Sequence, residues 1–152
     1  MAGYFFDSSA LAKLYHSEIG SASVFRIFSE PGRTILVSRL TLVEIQSVFA
    51  IKVRTGVIVR SDAELLRQRM VAHVAAGDFQ VYATADSHYF AAKVLLRQYA
   101  YDYRLRTLDA LHLAVAMRLR TQGLVDHFVA ADKSICEVAD IERFSVLNPE
   151  NR

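Results

Sequence analysis

Two kinds of apolar pattern alternate along the chain. Gly3-Tyr4-Phe5-Phe6, Thr34-Ile35-Leu36-Val37-Ser38, Phe79-Gln80-Val81-Tyr82, Phe128-Val129-Ala130-Ala131 and Phe144-Ser145-Val146-Leu147 are short runs that read as strands. Between them lie segments of helical composition: residues 10–15, 21–28, 41 to about 52, 61 to about 76, and 86–99. Pro31-Gly32, Gly56 and Gly77-Asp78 supply the breaks. A further helix opens near Thr107 and ends at Gly123, and another opens at Asp132-Lys133-Ser134. Strand and helix alternate throughout, which predicts an α/β fold around a mostly parallel sheet. Residues 1–148 form the expected single domain, and Pro149 begins a tail over 149–152.

The helix that opens near Thr107 is the most informative stretch. Arg106-Thr107-Leu108-Asp109-Ala110-Leu111-His112-Leu113-Ala114-Val115-Ala116-Met117 is apolar almost all round, so it predicts a buried helix. The Thr107 hydroxyl can cap its start. Asp109 lies in the first turn, where the helix dipole favours negative charge.

Composition narrows the class. Hydrophobic residues make up 53% of 152, too many for a disordered chain and enough for a sizeable core. No apolar run reaches the roughly 18–20 residues of a membrane span. The first residues turn polar too soon for a secretory signal. Cys136 is the single cysteine, which excludes an internal disulfide. These features predict a cytoplasmic protein without a membrane partner. The net charge of +2 permits a nucleic-acid partner without arguing for one.

Asp7, Glu44, Asp109 and Asp132 occupy one kind of position. Asp7, Glu44 and Asp132 each follow a predicted strand and begin a helix; Asp109 follows a polar loop and begins a helix. In open parallel sheets ligands bind beyond the carboxyl ends of the strands, so acids distant in sequence can converge there. Converging carboxylates repel unless a cation compensates. Oxygen donors suit Mg²⁺ or Mn²⁺, and such an ion polarises a phosphoryl oxygen and activates a water. The chemistry indicated is phosphodiester hydrolysis. Each acid also has a capping reading: Asp7 and Asp132 as N-caps, Thr41 to Glu44 as a capping box, and Asp109 as a first-turn acid.

The same stretches resemble the PIN-domain ribonucleases, and within them the VapC-type toxins of toxin–antitoxin pairs. Tyr4-Phe5-Phe6-Asp7-Ser8-Ser9-Ala10-Leu11 resembles the family's first strand and acid. Thr41-Leu42-Val43-Glu44-Ile45 resembles the second acid's segment, and Val129-Ala130-Ala131-Asp132-Lys133 the fourth. Arg106 to Ala114, around Asp109, is the most specific match. The resemblance implies a three-layer α/β/α sandwich and a metal-dependent endoribonuclease. It implies Mg²⁺ or Mn²⁺ at Asp7, Glu44, Asp109 and Asp132, an RNA substrate, an antitoxin partner and a homodimer. One departure stands out: members often carry Thr or Ser two residues before the fourth acid, where this chain has Ala130.

Arg39, Arg104, Arg106 and His112 are candidates for RNA contact, each with a bland counterpart as a solvated arginine or a buried histidine. His112 lies one turn after Asp109 and can also orient it. Tyr99, Tyr101 and Tyr103 can stack on bases or pack between helices. His16, His73, His88 and His127 lack metal-ligand spacing, which excludes a zinc site. The alternative function is a catalytically silent PIN-like domain that binds RNA or protein. A phosphoacceptor receiver is excluded, because no acidic pair follows the first strand.

Overall fold

The computed structural model describes residues 2–151. Residues 1 and 152, the outer ends of the two segments expected from sequence, lie outside this range. Five parallel strands form one sheet: β1 (Gly3–Phe6), β2 (Thr34–Ser38), β3 (Gln80–Tyr82), β4 (His127–Val129) and β5 (Ser145–Leu147). Their order is β3-β2-β1-β4-β5. The chain builds outward from β1 on one side, then returns to build outward on the other. The order therefore reverses between β1 and β4.

Successive strand residues point to opposite faces, and both faces are covered. Phe5, Leu36 and Phe128 pack with α5 (Asp86–Tyr99), α6 (Thr107–Thr121) and α7 (Lys133–Ile141). Tyr4, Phe6, Ile35, Val37 and Val129 pack on the other side. Their partners are α1 (Ser8–Leu11) with its 3₁₀ continuation Ala12–Leu14, α2 (Ser21–Phe28), α3 (Arg39–Arg54) and α4 (Arg60–Ala76). The result is the expected three-layer α/β/α sandwich. Burial on both faces explains why β1, β2 and β4 read as continuous apolar runs, while the edge strands β3 and β5 are more exposed and carry polar residues.

Three helix starts differ from the sequence expectation. The helix expected from Thr41 begins at Arg39, because the Ser38 hydroxyl accepts from Leu40 N–H at 3.2 Å. Thr41 is buried inside the helix, so its capping box with Glu44 does not form. The Ser61-to-Glu64 box is likewise absent: α4 starts after Val59, and Glu64 pairs with Arg67. Arg106, in extended backbone, takes the capping position expected of Thr107. In each case the chain turns into helix earlier than local hydroxyl chemistry suggested.

Residues 148–151 fold back on the domain. Lys13 Nζ, almost wholly buried, donates to Ile19 O at 2.7 Å and to Glu150 Oε1 at 2.9 Å. Among the described residues no helix is long and apolar enough to cross a membrane.

Candidate active site

The reversal between β1 and β4 brings the acids to one edge. Asp7 leaves the carboxyl end of β1, and its N–H donates to Val129 O of β4 at 3.0 Å. Asp132 follows β4, and Glu44 sits in the second turn of α3, which β2 leads into. Helix α6 leads back toward the start of β4, so its N-terminus and Asp109 lie at the carboxyl edge of the sheet. Glu44 and Asp109 line one cleft there with Arg106, Thr107 and Leu108, of about 320 Å³.

Asp7 is only 4% exposed and caps α1. Its Oδ1 accepts from Ser9 Oγ at 2.7 Å and from Ala10 N–H at 3.0 Å. Ser9 Oγ in turn accepts from Ala131 N–H at 3.1 Å, which ties the loop after β1 to the loop after β4. Burial pushes the Asp7 carboxyl up to about 6, against the lowering influence of those bonds. The negative charge of Asp109 adds to the rise.

Asp109 is 8% exposed. Its Oδ2 accepts from Arg106 N–H at 3.2 Å and from the Arg106 guanidinium at 3.5 Å. Burial raises its carboxyl above the usual range, Arg106 opposes this, and Asp132 raises it further. Asp132 caps α7 through Ser134 N–H at 2.9 Å and Ile135 N–H at 3.3 Å, all on Oδ1. Its Oδ2 lies 3.6 Å from Arg106 Nη2. The Arg106 side chain, 67% exposed, thus bridges Asp109 and Asp132.

Glu44 is held from two sides. Its Oε1 accepts from Ser8 Oγ at 2.8 Å and pairs with His112 Nε2. Burial alone would raise its carboxyl, but His112, Ser8 and Arg106 together bring it below the usual range. His112 is 1% exposed. That burial removes it from the RNA-facing surface proposed from sequence, and its partner is Glu44 rather than Asp109 or a backbone carbonyl. Arg39 and Arg104 stay exposed, at the first residue of α3 and in the loop before α6. Tyr99 is buried and meets Tyr103 edge-on, which answers the stacking alternative in favour of packing, while Tyr101 is exposed.

The capping readings and the site readings are therefore compatible. Asp7 and Asp132 cap their helices with one oxygen each. Hydrogen bonds to Asp7 end on Oδ1 and those to Asp109 on Oδ2, which leaves the second oxygen of each uncommitted among the described residues. Among these residues no three His, Cys, Asp or Glu side chains are gathered into a ready-made metal cage. The donor set still fits a hard divalent cation: every donor is a carboxylate oxygen, and Asp109 repels both Asp7 and Asp132. Ala130 is buried in the α6 side of the core, and its carbonyl accepts from Cys136 Sγ at 3.2 Å. Sequence reasoning missed Ser8, Ser9 and the Glu44–His112 contact. Ser8 and Ser9 stood beside Asp7 in the sequence, but adjacency alone does not say which acid a hydroxyl serves.

Fold and acids together define a parallel α/β domain with a carboxylate-lined cleft where the strand order reverses. The PIN domain family profile matches residues 4–141, and the chain belongs to this family. PIN domains are generally nucleases that use divalent metals. The fold is similar to that of VapC20 from Mycobacterium tuberculosis, described as a sarcin-ricin loop cleaving toxin. There the TM-score is 0.63 at 22% identity, covering 98% of each chain. FitAcB from Neisseria gonorrhoeae gives 0.67 at 13% identity, over 98% of this chain and 99% of that one. VapBC2 from Rickettsia felis, bound to a DNA fragment from its promoter, gives 0.60 at 12%, over 96% and 98%. The comparison with curated proteins found no match.

Proposed function

We propose that the chain is a metal-dependent endoribonuclease acting as the toxin of a toxin–antitoxin pair. The carrying observation is the set of acids at the strand-order reversal, in which Asp109 repels Asp7 and Asp132, and in which Asp7 and Asp109 are nearly buried and each has an uncommitted oxygen. Such a set is costly unless a cation joins it. Asp7, Glu44 and Asp109 would hold Mg²⁺ or Mn²⁺ or orient its waters, and Asp132 would complete the site or serve a second ion. When bound, the ion polarises the scissile phosphate and activates a water. The chain's own part is to fix the acids. Ser9 orients Asp7, the Arg106 N–H orients Asp109, and the helix caps orient Asp132. Arg106, Arg104 and Arg39 are the cations available to RNA phosphates.

The similar toxin–antitoxin proteins support an antitoxin partner for this chain too, and a homodimer is proposed from the sequence resemblance alone. An RNA substrate implies action in the cytoplasm, and residues 1–148 would serve as one nuclease domain. A second reading, the silent RNA- or protein-binding domain, has one observation in its favour. The Arg106 guanidinium bridges Asp109 and Asp132 and offsets their charge.

Cleavage of total RNA separates the readings. The antitoxin-free protein is tested with Mg²⁺, Mn²⁺ and chelator beside Asp109→Asn. The expected result is metal-dependent cleavage that falls about a hundredfold or more in the variant. Metal-dependent cleavage retained in a folded Asp109→Asn would overturn the site, and Mn²⁺ binding without cleavage would favour the silent domain.

A further inference from the structure

His112 and Ser8 meet at a single oxygen. His112 Nε2 pairs with Glu44 Oε1, and Ser8 Oγ donates to the same atom at 2.8 Å. Ser8 Oγ also lies 3.5 Å from His112 Nε2 and 3.3 Å from Thr41 Oγ1. Three elements converge here: Ser8 on α1, Glu44 and Thr41 on α3, and His112 on α6. The residue types are those of a Ser-His-acid nucleophile set, but the geometry excludes that use. In such a set the serine and the acid meet different imidazole nitrogens, so that one accepts while the other donates. Here both meet Nε2, and Nδ1 faces no partner.

His112 reaches Glu44 through one nitrogen alone, and Nδ1 is orphaned. It is the sole buried side-chain nitrogen or oxygen without a hydrogen-bond partner among the described residues. A carboxylate can only accept, so the shared proton belongs to Nε2. His112 therefore donates from Nε2 to Glu44, and its second nitrogen takes no part in holding the acid. Glu44 Oε1 then receives two donors, which leaves Oε2 as the oxygen available to the cleft that Glu44 lines.

We propose that His112 is a positioning residue, which with Ser8 commits Glu44 Oε1 and so presents Oε2 to the divalent cation or its waters. The inference rests on the metal-site reading above and extends it to residues that touch neither metal nor RNA. Helix α6 on this reading serves the site twice, with Asp109 directly and with His112 one turn later through Glu44.

The test uses two amides. Gln at position 112 carries its nitrogen where His carries Nε2, whereas Asn reaches only as far as Nδ1. Mn²⁺ affinity is titrated by the electron paramagnetic resonance of free Mn²⁺, with RNA cleavage measured on the same samples. His112→Asn is expected to weaken Mn²⁺ binding about tenfold, within the range for partners that orient metal ligands. His112→Gln is expected to retain most of the affinity. In a Glu44→Ala background, with no carboxylate left to orient, His112→Asn is expected to add nothing. Equal behaviour of the two amides, or an undiminished effect of His112→Asn beside Glu44→Ala, overturns the proposal. Ser8→Ala probes the same oxygen from the smaller donor, should the Asn variant fail to fold. It is expected to weaken Mn²⁺ several-fold, again only while Glu44 is present, and unchanged affinity counts against the proposal. Wild-type protein that binds Mn²⁺ but cleaves no RNA sinks the ribonuclease reading alone, and the variants still decide the role of His112. Wild-type protein that binds no Mn²⁺ overturns both.

Discussion

The cleft has two halves built on different principles. On one side Asp7 is fastened by the neighbouring Ser9 hydroxyl and Ala10 N–H, and Glu44 by Ser8 and the buried His112 from other helices. On the other side Asp109 and Asp132 are met by backbone N–H groups close in sequence and by one exposed arginine. The first half has its geometry in place before any ligand arrives. The second half is compensated by a side chain that is free to leave, because exposed ion pairs are weak and screened. On the proposed reading, such a site would combine preorganised ligands with a replaceable cation.

The sharpest way to break the comparison is Asp7→Asn. Cleavage should fall about a hundredfold or more, while the metal-free fold gains stability. The sign follows from the raised carboxyl. Folded Asp7 holds its proton up to about pH 6, while the unfolded chain releases it near the usual 3.8. The folded state thus binds more protons between about 4 and 6, and stability is lost as pH rises through that window. Unfolding of wild type and variant should coincide below pH 4. Above pH 6 the variant should lead by about 3 kcal/mol. Equal stabilities at pH 7 would mean that the first half is not strained by its charge. Added Mn²⁺ should close the gap by stabilising wild type alone.

Ser9→Ala should have the next largest effect. It removes a donor from Asp7 and leaves the Ala131 N–H without its acceptor. A loss of about 1–2 kcal/mol in urea unfolding is expected. No loss would mean that water replaces the hydroxyl and that the two strand-end loops are not tied through it.

Arg106→Gln should have the smallest effect on the fold and sharpens the other half. The melting temperature should stay within error of wild type, because the side chain is mostly exposed. Mn²⁺ affinity should rise a few-fold as the competing cation disappears. RNA affinity should fall with a shallower salt dependence if the same side chain serves a phosphate. Unchanged Mn²⁺ binding would mean that Arg106 does not compete for the site.

Much of this was legible in sequence because it is local. The strand Thr34–Ser38 and the helices Ser21–Phe28 and Asp86–Tyr99 fall where periodicity and turn residues put them. Cap identities were less legible. Thr41, Ser61 and Thr107 all have hydroxyls suited to capping, yet Ser38, Val59 and Arg106 hold those positions. The chain must leave each strand or loop in a direction that packs the coming helix on the sheet, and that outweighs one hydrogen bond.

By itself the sequence determined that acids would begin several helices and that the sheet would be mostly parallel, with its first strand buried. Those properties follow from residue type and near-neighbour spacing. Only the tertiary structure decided which acid each donor serves. Glu44 and His112 are 68 residues apart, and Ser9 and Ala131 are 122 apart. No periodicity spans such distances. These pairs exist because the strand order reverses at β1 and brings distant loops to one edge, where a nearly buried carboxylate must find a donor or a cation.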